Sequence, residues 1–66
     1  MDINNTFTYH APKNDQPARY ERLRDEAKFL AKLIDSSCPQ SAERTIALRK
    51  LQECIMFANA SIAINE

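Results

Sequence analysis

Residues 48–66 read LRKLQECIMFANASIAINE, and this stretch decides the fold of the chain. Between Cys54 and Ile64 nine of the eleven residues are apolar, and the two exceptions are Asn59 and Ser61. A helix with this pattern is apolar on nearly every side, so one neighbouring helix cannot cover it. The chain has only 66 residues, and a domain of that size buries only about 60% of its unfolded surface. We therefore expect copies of the chain to associate.

The apolar pattern extends upstream and predicts a helix over residues 42–64, with Ser41 as its N-cap. Apolar residues recur at alternating steps of three and four, which is typical of a coiled-coil seam. These seam positions are Leu48, Leu51, Ile55, Ala58 and Ile62. Asn59 lies among apolar neighbours, where an amide needs hydrogen-bond partners. It either fixes the register between subunits, as buried Asn does in coiled coils, or contacts a ligand.

A second helix with a matching seam is predicted over residues 17–36, just upstream. Its seam consists of Tyr20, Leu23, Ala27, Leu30 and Ile34. Phe29 and Leu33 lie beside the seam, and we expect them to widen the buried stripe. The intervening segment is short and contains Pro39, so the two helices should form an antiparallel hairpin. The sequence thus predicts an all-α fold, assembled as a homo-oligomeric helical bundle.

Residues 1–16 are predicted to be a flexible N-terminal arm, and residues 17–66 the hairpin. The arm is polar except for Phe7 and Tyr9, which are two positions apart. Two interpretations remain open for these aromatic residues. They either anchor the arm to the helices, or Tyr9 offers a ring on which a nucleobase stacks. The residues expected at the contact between subunits are Ile55, Met56, Phe57, Asn59 and Ile62.

Charge is balanced in total but not locally. Nine basic and nine acidic residues give zero net charge, which argues against binding to polymeric DNA or RNA. Along the first helix, however, Arg24, Lys28 and Lys32 follow one another at a spacing of four. Like charges at this spacing destabilise a helix slightly. The row is therefore either a weak indication of an anion site or a solvated face balanced by neighbouring carboxylates.

Several function classes lack their sequence requirements. The chain contains one His and no CxxC, so no metal site or cofactor is expected. Glycine is absent, which excludes phosphate loops of the P-loop and Rossmann kinds. No apolar run is long enough for a membrane span, and no constellation of catalytic residues is recognisable. Cys38 and Cys54 are interpreted as free thiols of a reducing cytosol, since no export signal precedes them.

Two segments together resemble one known family. FTYHAPKNDQPARYERLRDEAK resembles the pattern F-T-Y-H-x-P, a polar spacer, then R-Y-x-x-[IL]-R-x-x-[AG]-K. SAERTIALRKLQECIMFANASIAINE resembles [ST]-x-E-R-[ST]-x-A-L-x-K-L-E-E-x-[IV]-M-W-A-N-A-x-I-A-R-N-E. Both patterns are those of the helical-hairpin domain of phage nucleotide sponges, the anti-CBASS and Thoeris anti-defence proteins. The resemblance covers about residues 7–66.

This resemblance implies a viral protein that acts without catalysis in the cytoplasm of the bacterial host. Family members bind cyclic oligonucleotides or cyclic ADP-ribose isomers made by bacterial immune enzymes, and they keep these signals from their effectors. They assemble as compact homo-oligomers, typically hexamers, with ligand pockets between protomers. The alternative is a small helical adaptor or inhibitor that docks its apolar helix on another protein.

Carried over by position, the resemblance implies five ligand-binding residues. Tyr9 is the candidate for stacking on a base, whereas the other four are candidates for phosphate contacts. These four are Arg24, Lys28, Arg44 and Thr45. The chain departs from the pattern at Phe57, where Trp is frequent, and at Ile64, where Arg is common. Bulk is retained at the first position, but any charge contact from the second is lost.

Overall fold

A computed structural model describes residues 1–66 and contains three helices and no strand. Helix α1 spans Ile3–Thr6, α2 spans Gln16–Ser37 and α3 spans Ala42–Asn65. Helices α2 and α3 pack along each other in antiparallel orientation, because the start of each contacts the end of the other. The predicted all-α hairpin is therefore confirmed for the single chain. None of the helices combines the length and apolar character that a membrane crossing requires.

Local chemistry sets the ends of the two long helices. Asn14 adopts the left-handed backbone region, with φ of 53°, which Asn tolerates better than most residues. The chain then enters α2 at Gln16, with Pro17 in the first turn. Ser41 caps α3, since its hydroxyl accepts the backbone N–H of Arg44 at 3.1 Å. The helices differ from the predicted bounds by no more than one residue at each end.

The hairpin is a single layer of two helices rather than a body around a core. Its dimensions are 42 × 25 × 12 Å, and the smallest of these is about one helix diameter. The radius of gyration is 14.6 Å, against roughly 11 Å expected for a compact domain of this length. No apolar residue is fully buried, and the one buried residue is Gln16, at 3% exposure. The single chain therefore leaves most of its apolar surface uncovered.

The seam prediction is correct for α3, whereas on α2 one seam residue and both residues predicted beside the seam are exposed. All five predicted seam residues of α3 are half-buried. On α2, however, Phe29 and Leu33 are 70% and 49% exposed, so they do not widen the contact with α3. They lie on a side of α2 that α3 does not cover, because a two-helix layer buries only the narrow stripe between its axes. Leu30, predicted in the seam, is also 43% exposed.

The arm contains a helical turn and is held by polar groups. Helix α1 was not expected from the sequence, and its N-cap Asp2 accepts the backbone N–H of Asn5 at 3.2 Å. Phe7 and Tyr9 are 79% and 84% exposed, so within one chain they do not anchor the arm. Instead, the Asn5 side-chain amide donates to the backbone oxygen of Ile64 at 2.9 Å. Of the two interpretations of Phe7 and Tyr9, anchoring of the arm is therefore not observed within the single chain.

Candidate ligand-binding site

A groove of about 500 Å³ follows the contact between α2 and α3. Most of its lining is apolar, and its charged members are Arg24 and Lys28, one turn apart on α2. The full lining is Arg24, Ala27, Lys28, Ala31, Leu48, Leu51, Gln52, Ile55, Met56 and Asn59. The groove is open along its length rather than enclosed, so a neighbouring subunit or a ligand can cover it.

Arg24 and Lys28 are unpaired cations. The four ion pairs of the chain involve Arg19, Arg44 and Lys50 as the bases, and neither groove cation is among them. Both side chains are also exposed. Two free cations above an apolar floor suit a ligand that combines anionic groups with flat apolar rings. Lys32, the third member of the predicted basic row, does not line the groove.

A second pocket of about 340 Å³ lies between the arm and α3. Its lining is Tyr9, His10, Pro12, Tyr20, Asn59, Ala60 and Ala63. The two alanines are small, which leaves room between α3 and the aromatic rings. His10 is fixed by a contact of 2.7 Å between its Nε2 and the backbone oxygen of Asn5. The pocket can therefore accept a flat ring beside the Tyr9 phenol.

Within one chain, the predicted stacking and phosphate groups lie in different pockets. Arg24 and Lys28 share the groove, whereas Tyr9 belongs to the arm pocket. Asn59 lines both, and its Oδ1 is shielded from solvent without a hydrogen-bond partner. A shielded carbonyl without a partner is costly. The two interpretations of Asn59, subunit register and ligand contact, both stay open.

Arg44 and Thr45 lie at the opposite end of the hairpin, beside the turn. The Arg44 Nη1 donates to the backbone oxygens of Asp35 and Cys38 at 3.1 and 3.2 Å, and it lies 3.7 Å from the Asp35 carboxylate. The Thr45 hydroxyl donates to the backbone oxygen of Ser41 at 3.2 Å. Arg44 thus closes the turn within the single chain, whereas the Thr45 hydroxyl bonds within the first turn of α3. Neither side chain lines one of the two pockets described above. Their phosphate role stays a prediction.

The predicted subunit-contact residues divide into two groups. Ile55, Asn59 and Ile62 are half-buried, so much of their surface is already used within the chain. Met56 and Phe57 are 62% and 74% exposed and remain available for a neighbour. Their contact with another subunit stays a prediction.

A polar cluster surrounds Glu66, and no sequence pattern predicted it. Arg19 binds both carboxylate oxygens of Glu66, with Nη1 2.8 Å from Oε2, and Gln16 donates from Nε2 to Oε1 at 3.2 Å. The hydrogen bonds from Arg19, and then from Gln16, lower the pKa of Glu66 from 4.5 to about 2. The same contact raises the pKa of Arg19 further above its already high value. The one sequence feature that pointed to this cluster was the Glu at the end of the second family motif.

No cluster of three or more metal-ligating side chains is present in the structure. Cys38 and Cys54 are both free and exposed.

Comparison with known protein families gives a match over most of the chain. The sequence model described as the Acb2/Tad1 hairpin domain matches residues 1–63, which include the arm, α2 and nearly all of α3. Both pockets lie entirely within the matched residues. No curated protein and no solved structure shows significant similarity to the chain.

Proposed function

The chain belongs to the Acb2/Tad1 hairpin family of anti-defence nucleotide sponges, and from this premise we propose that it sequesters cyclic oligonucleotide immune signals without cleaving them. The ligands are cyclic di- or trinucleotides, with cyclic ADP-ribose isomers as a further class. Sequestration prevents activation of CBASS or Thoeris effectors in the cytoplasm of an infected bacterium. The fold, the family and the pocket chemistry all support this function.

One observation supports the proposal independently of family membership. Two cations without acidic partners, Arg24 and Lys28, line an apolar groove. Arg24 and Lys28 have no acidic partner, although the chain contains nine carboxylate side chains. A helix face that is merely solvated gains from mixed signs. Cyclic oligonucleotides present two or more phosphates on a ring with flat bases. The groove offers cations for the phosphates and apolar surface for the bases.

Tyr9 extends this chemistry to the bases. Its ring is 84% exposed, so it is available to a ligand or a neighbouring subunit. Stacking of a base on an aromatic side chain contributes about 1–3 kcal/mol. Because Tyr9 and Lys28 lie in different pockets of one chain, a ligand that uses both is best accommodated between two protomers.

Assembly as a homo-oligomer, which we propose to be a hexamer, completes the pockets. The single chain buries no apolar residue fully, and the groove and the arm pocket are both open. Small scaffolds without disulfides or metals are commonly stabilised by partner subunits. A neighbouring copy that covers Met56 and Phe57 would bury apolar surface that the single chain leaves exposed. It would also enclose the groove and the arm pocket.

Sequestration then works by mass action alone. No bond in the ligand breaks, so the protein has to bind more tightly than the effector does and be present in excess. Nanomolar affinity corresponds to about 12 kcal/mol. Charge-assisted contacts contribute roughly 1.5–3 kcal/mol each, and they reach that total with stacking only in a preformed pocket. We therefore propose that assembly precedes ligand binding.

A thermal-shift and calorimetric panel of cyclic di- and trinucleotides and cyclic ADP-ribose isomers tests the proposal. A ligand at about 100 times its dissociation constant adds about 2.7 kcal/mol of stability. After denaturation, mass spectrometry of the released ligand should recover the intact ring. Degraded ligand would indicate an enzyme instead.

The competing function is a protein-interaction adaptor, which the exposed Met56 and Phe57 also suit. An adaptor needs no cationic groove. The absence of a thermal shift with every cyclic nucleotide would therefore favour the adaptor over the sponge.

A further inference from the structure

The carboxylate of Glu66 accepts hydrogen bonds from side chains of α2, and its backbone oxygen accepts one from a side chain of the arm. Arg19 and Gln16, in the first turn of α2, bind the two carboxylate oxygens. Lys13, in the arm, donates from Nζ to the Glu66 backbone oxygen at 2.6 Å. Three segments of the chain therefore meet at one residue. The family pattern ends in a Glu at this position, and neither the pattern nor the match over residues 1–63 gives that Glu a role.

Gln16 links these groups through both ends of its amide. Its Oε1 accepts the backbone N–H of Lys13 at 3.2 Å, and its Nε2 donates to the Glu66 carboxylate. Gln16 is also the one buried residue of the chain. Buried polar groups are stable when they are hydrogen-bonded, and here both the donor and the acceptor of the amide are used. The cluster is therefore an organised contact rather than a chance meeting of surface charges.

The arm is tied to the end of α3 on both sides of Tyr9. Before Tyr9, the side chain of Asn5 donates to the backbone oxygen of Ile64. After Tyr9, Lys13 donates to that of Glu66. Residues 5–13 thus form a loop whose two ends are fixed to nearly adjacent residues at the end of the chain. The arm pocket lies under this loop, with Ala60 and Ala63 in its α3 wall.

We propose that Glu66 is a positioning residue for ligand binding: its contacts with Arg19, Gln16 and Lys13 hold the arm closed, so that Tyr9 is presented over the arm pocket. This inference rests on the proposed function, because it assigns Glu66 to the same binding site. Glu66 does not line either pocket, so it acts through the arm rather than through the ligand.

The expected effect follows from the population of the closed arm. When only a fraction of molecules is competent to bind, the apparent affinity falls in proportion to that fraction. The Arg19–Glu66 pair is partly exposed, with side chains 38% and 43% accessible, and exposed ion pairs are worth little each. Release of the arm should therefore weaken binding by about tenfold rather than abolish it.

Three variants test this inference. Glu66→Gln removes the charge and keeps the shape, whereas Glu66→Asp keeps the charge on a shorter side chain. Glu53→Gln is the matched control, because Glu53 is also an exposed carboxylate with a basic partner, Lys50, at 3.5 Å. Glu53 lies outside both pockets and has no contact with the arm.

Two readouts separate arm positioning from general stability. The first is NMR amide exchange at Lys13, whose N–H donates to Gln16. It is compared with exchange at Cys38, whose N–H lies 3.0 Å from the backbone oxygen of Ile34 at the turn and therefore reports on the hairpin alone. The second readout is calorimetric affinity for cyclic dinucleotides, measured at known oligomer mass.

For Glu66→Gln we expect faster exchange at Lys13, unchanged exchange at Cys38, an unchanged oligomer mass and about tenfold weaker binding. Glu66→Asp should lie between this variant and the unaltered protein, and Glu53→Gln should change neither readout.

Equal affinity of Glu66→Gln and the unaltered protein would overturn the inference. A loss of oligomer mass, or equal acceleration at Cys38, would overturn it as well, since either indicates a general structural role. If the unaltered protein binds no cyclic nucleotide, the proposed function fails and the ligand-binding role of Glu66 fails with it. Exchange at Lys13 then still shows whether Glu66 holds the arm, so the two failures are distinguishable.

Discussion

The end of the hairpin where the arm meets α3 buries a polar side chain, whereas Phe29 and Phe57 leave aromatic rings in solvent. Gln16 is 3% exposed, and Phe57 is 74% exposed. In a domain that is stable as a monomer, aromatic side chains are buried and polar ones are exposed, because burial of apolar surface provides the main stabilising free energy. The polar end, which consists of Gln16, Arg19 and Glu66, is completed by contacts within one chain. The aromatic surface, by which we mean the exposed rings of Phe29 and Phe57, has no partner within it.

This difference indicates that the additional stabilising free energy comes from burial of the exposed aromatic rings against another molecule. A layer 12 Å thick has no interior of its own, so its aromatic surface needs a cover, and a further copy of the chain is the cover we propose. The polar end needs none, since the Gln16 amide and the Glu66 carboxylate already have hydrogen-bond partners within the chain. Changes at the aromatic surface should therefore affect assembly, and changes at the polar end should affect the arm.

The largest effect is expected for Phe57→Glu, which places a charge on the aromatic surface. Burial of a Phe side chain contributes about 1.5–3 kcal/mol, the loss recurs in every subunit, and burying an unpaired carboxylate costs more. We expect the assembly to dissociate, as measured by light scattering after size-exclusion chromatography. Phe57→Trp, which restores the residue frequent in the family pattern, is the control and should retain the assembly. Normal mass for Phe57→Glu would show that this surface is not an interface.

The next effect concerns the groove between α2 and α3. Lys28→Glu reverses one of its two free cations and should weaken cyclic nucleotide binding by about 10- to 150-fold, since charge-assisted contacts contribute roughly 1.5–3 kcal/mol each. Lys32→Glu is the matched control, one turn further along α2 but outside the groove. Calorimetry should separate the two variants at equal oligomer mass. Equal losses would indicate a general electrostatic attraction rather than a site.

Tyr9→Ala tests the stacking contribution from the arm. Because stacking on an aromatic ring contributes about 1–3 kcal/mol per base, we expect affinity to fall by about tenfold or more, up to loss of detectable binding. The oligomer should remain intact, because Tyr9 is exposed and anchors nothing within the chain. Tyr9→Phe keeps the ring and should preserve binding. A variant without the ring that binds normally would remove Tyr9 from the site.

A smaller effect is expected at the turn, which belongs to neither region. Ser41→Ala removes the hydroxyl that accepts the Arg44 N–H, and loss of an N-cap costs about 1 kcal/mol. Thermal or chemical denaturation should detect this cost, with Ser61→Ala on the exposed side of α3 as the control. Equal stability of the two variants would show that the cap contributes nothing measurable.

The smallest effect is the pH dependence of the polar end. The pKa of Glu66 is lowered to about 2 from 4.5, so the unfolded chain binds its proton more readily than the folded one. Stability from this carboxylate is complete above about pH 4.5 and is lost as pH falls through about 2. Arg19, Gln16 and Lys13 face it, and Asp15 also pairs with Arg19 at 3.2 Å. Stability measured across this window should fall less steeply for Glu66→Gln, and parallel curves would contradict the assignment.

Much of the fold was predictable because it depends on local patterns. The seam positions, the Ser41 cap and the short turn at Pro39 are each encoded within a few residues, so both long helices and their pairing followed from the sequence. The family followed from the two motifs for the same reason. Phe29 and Leu33 were misplaced because spacing tells which residues share a helix face, but it does not tell whether that face is covered within the chain or by another copy.

The candidate site was only partly predictable. Arg24 and Lys28 share a groove because they are one turn apart, which the sequence shows directly. The separation of Tyr9 from these cations depends on the path of the arm, and the contacts that fix this path join residues far apart in sequence. The amide of Asn5 bonds to an oxygen 59 residues away, and the guanidinium of Arg19 to a carboxylate 47 residues away. The helical periodicity of a sequence does not predict contacts between residues so far apart along the chain.

Native mass spectrometry with cyclic di- and trinucleotides tests the central claim most directly, since a single spectrum gives both the subunit number and the mass of any bound ligand. The sponge account predicts a hexamer that gains the mass of intact ligand rings. A monomer, or an oligomer that gains no mass with any of these ligands, would contradict it.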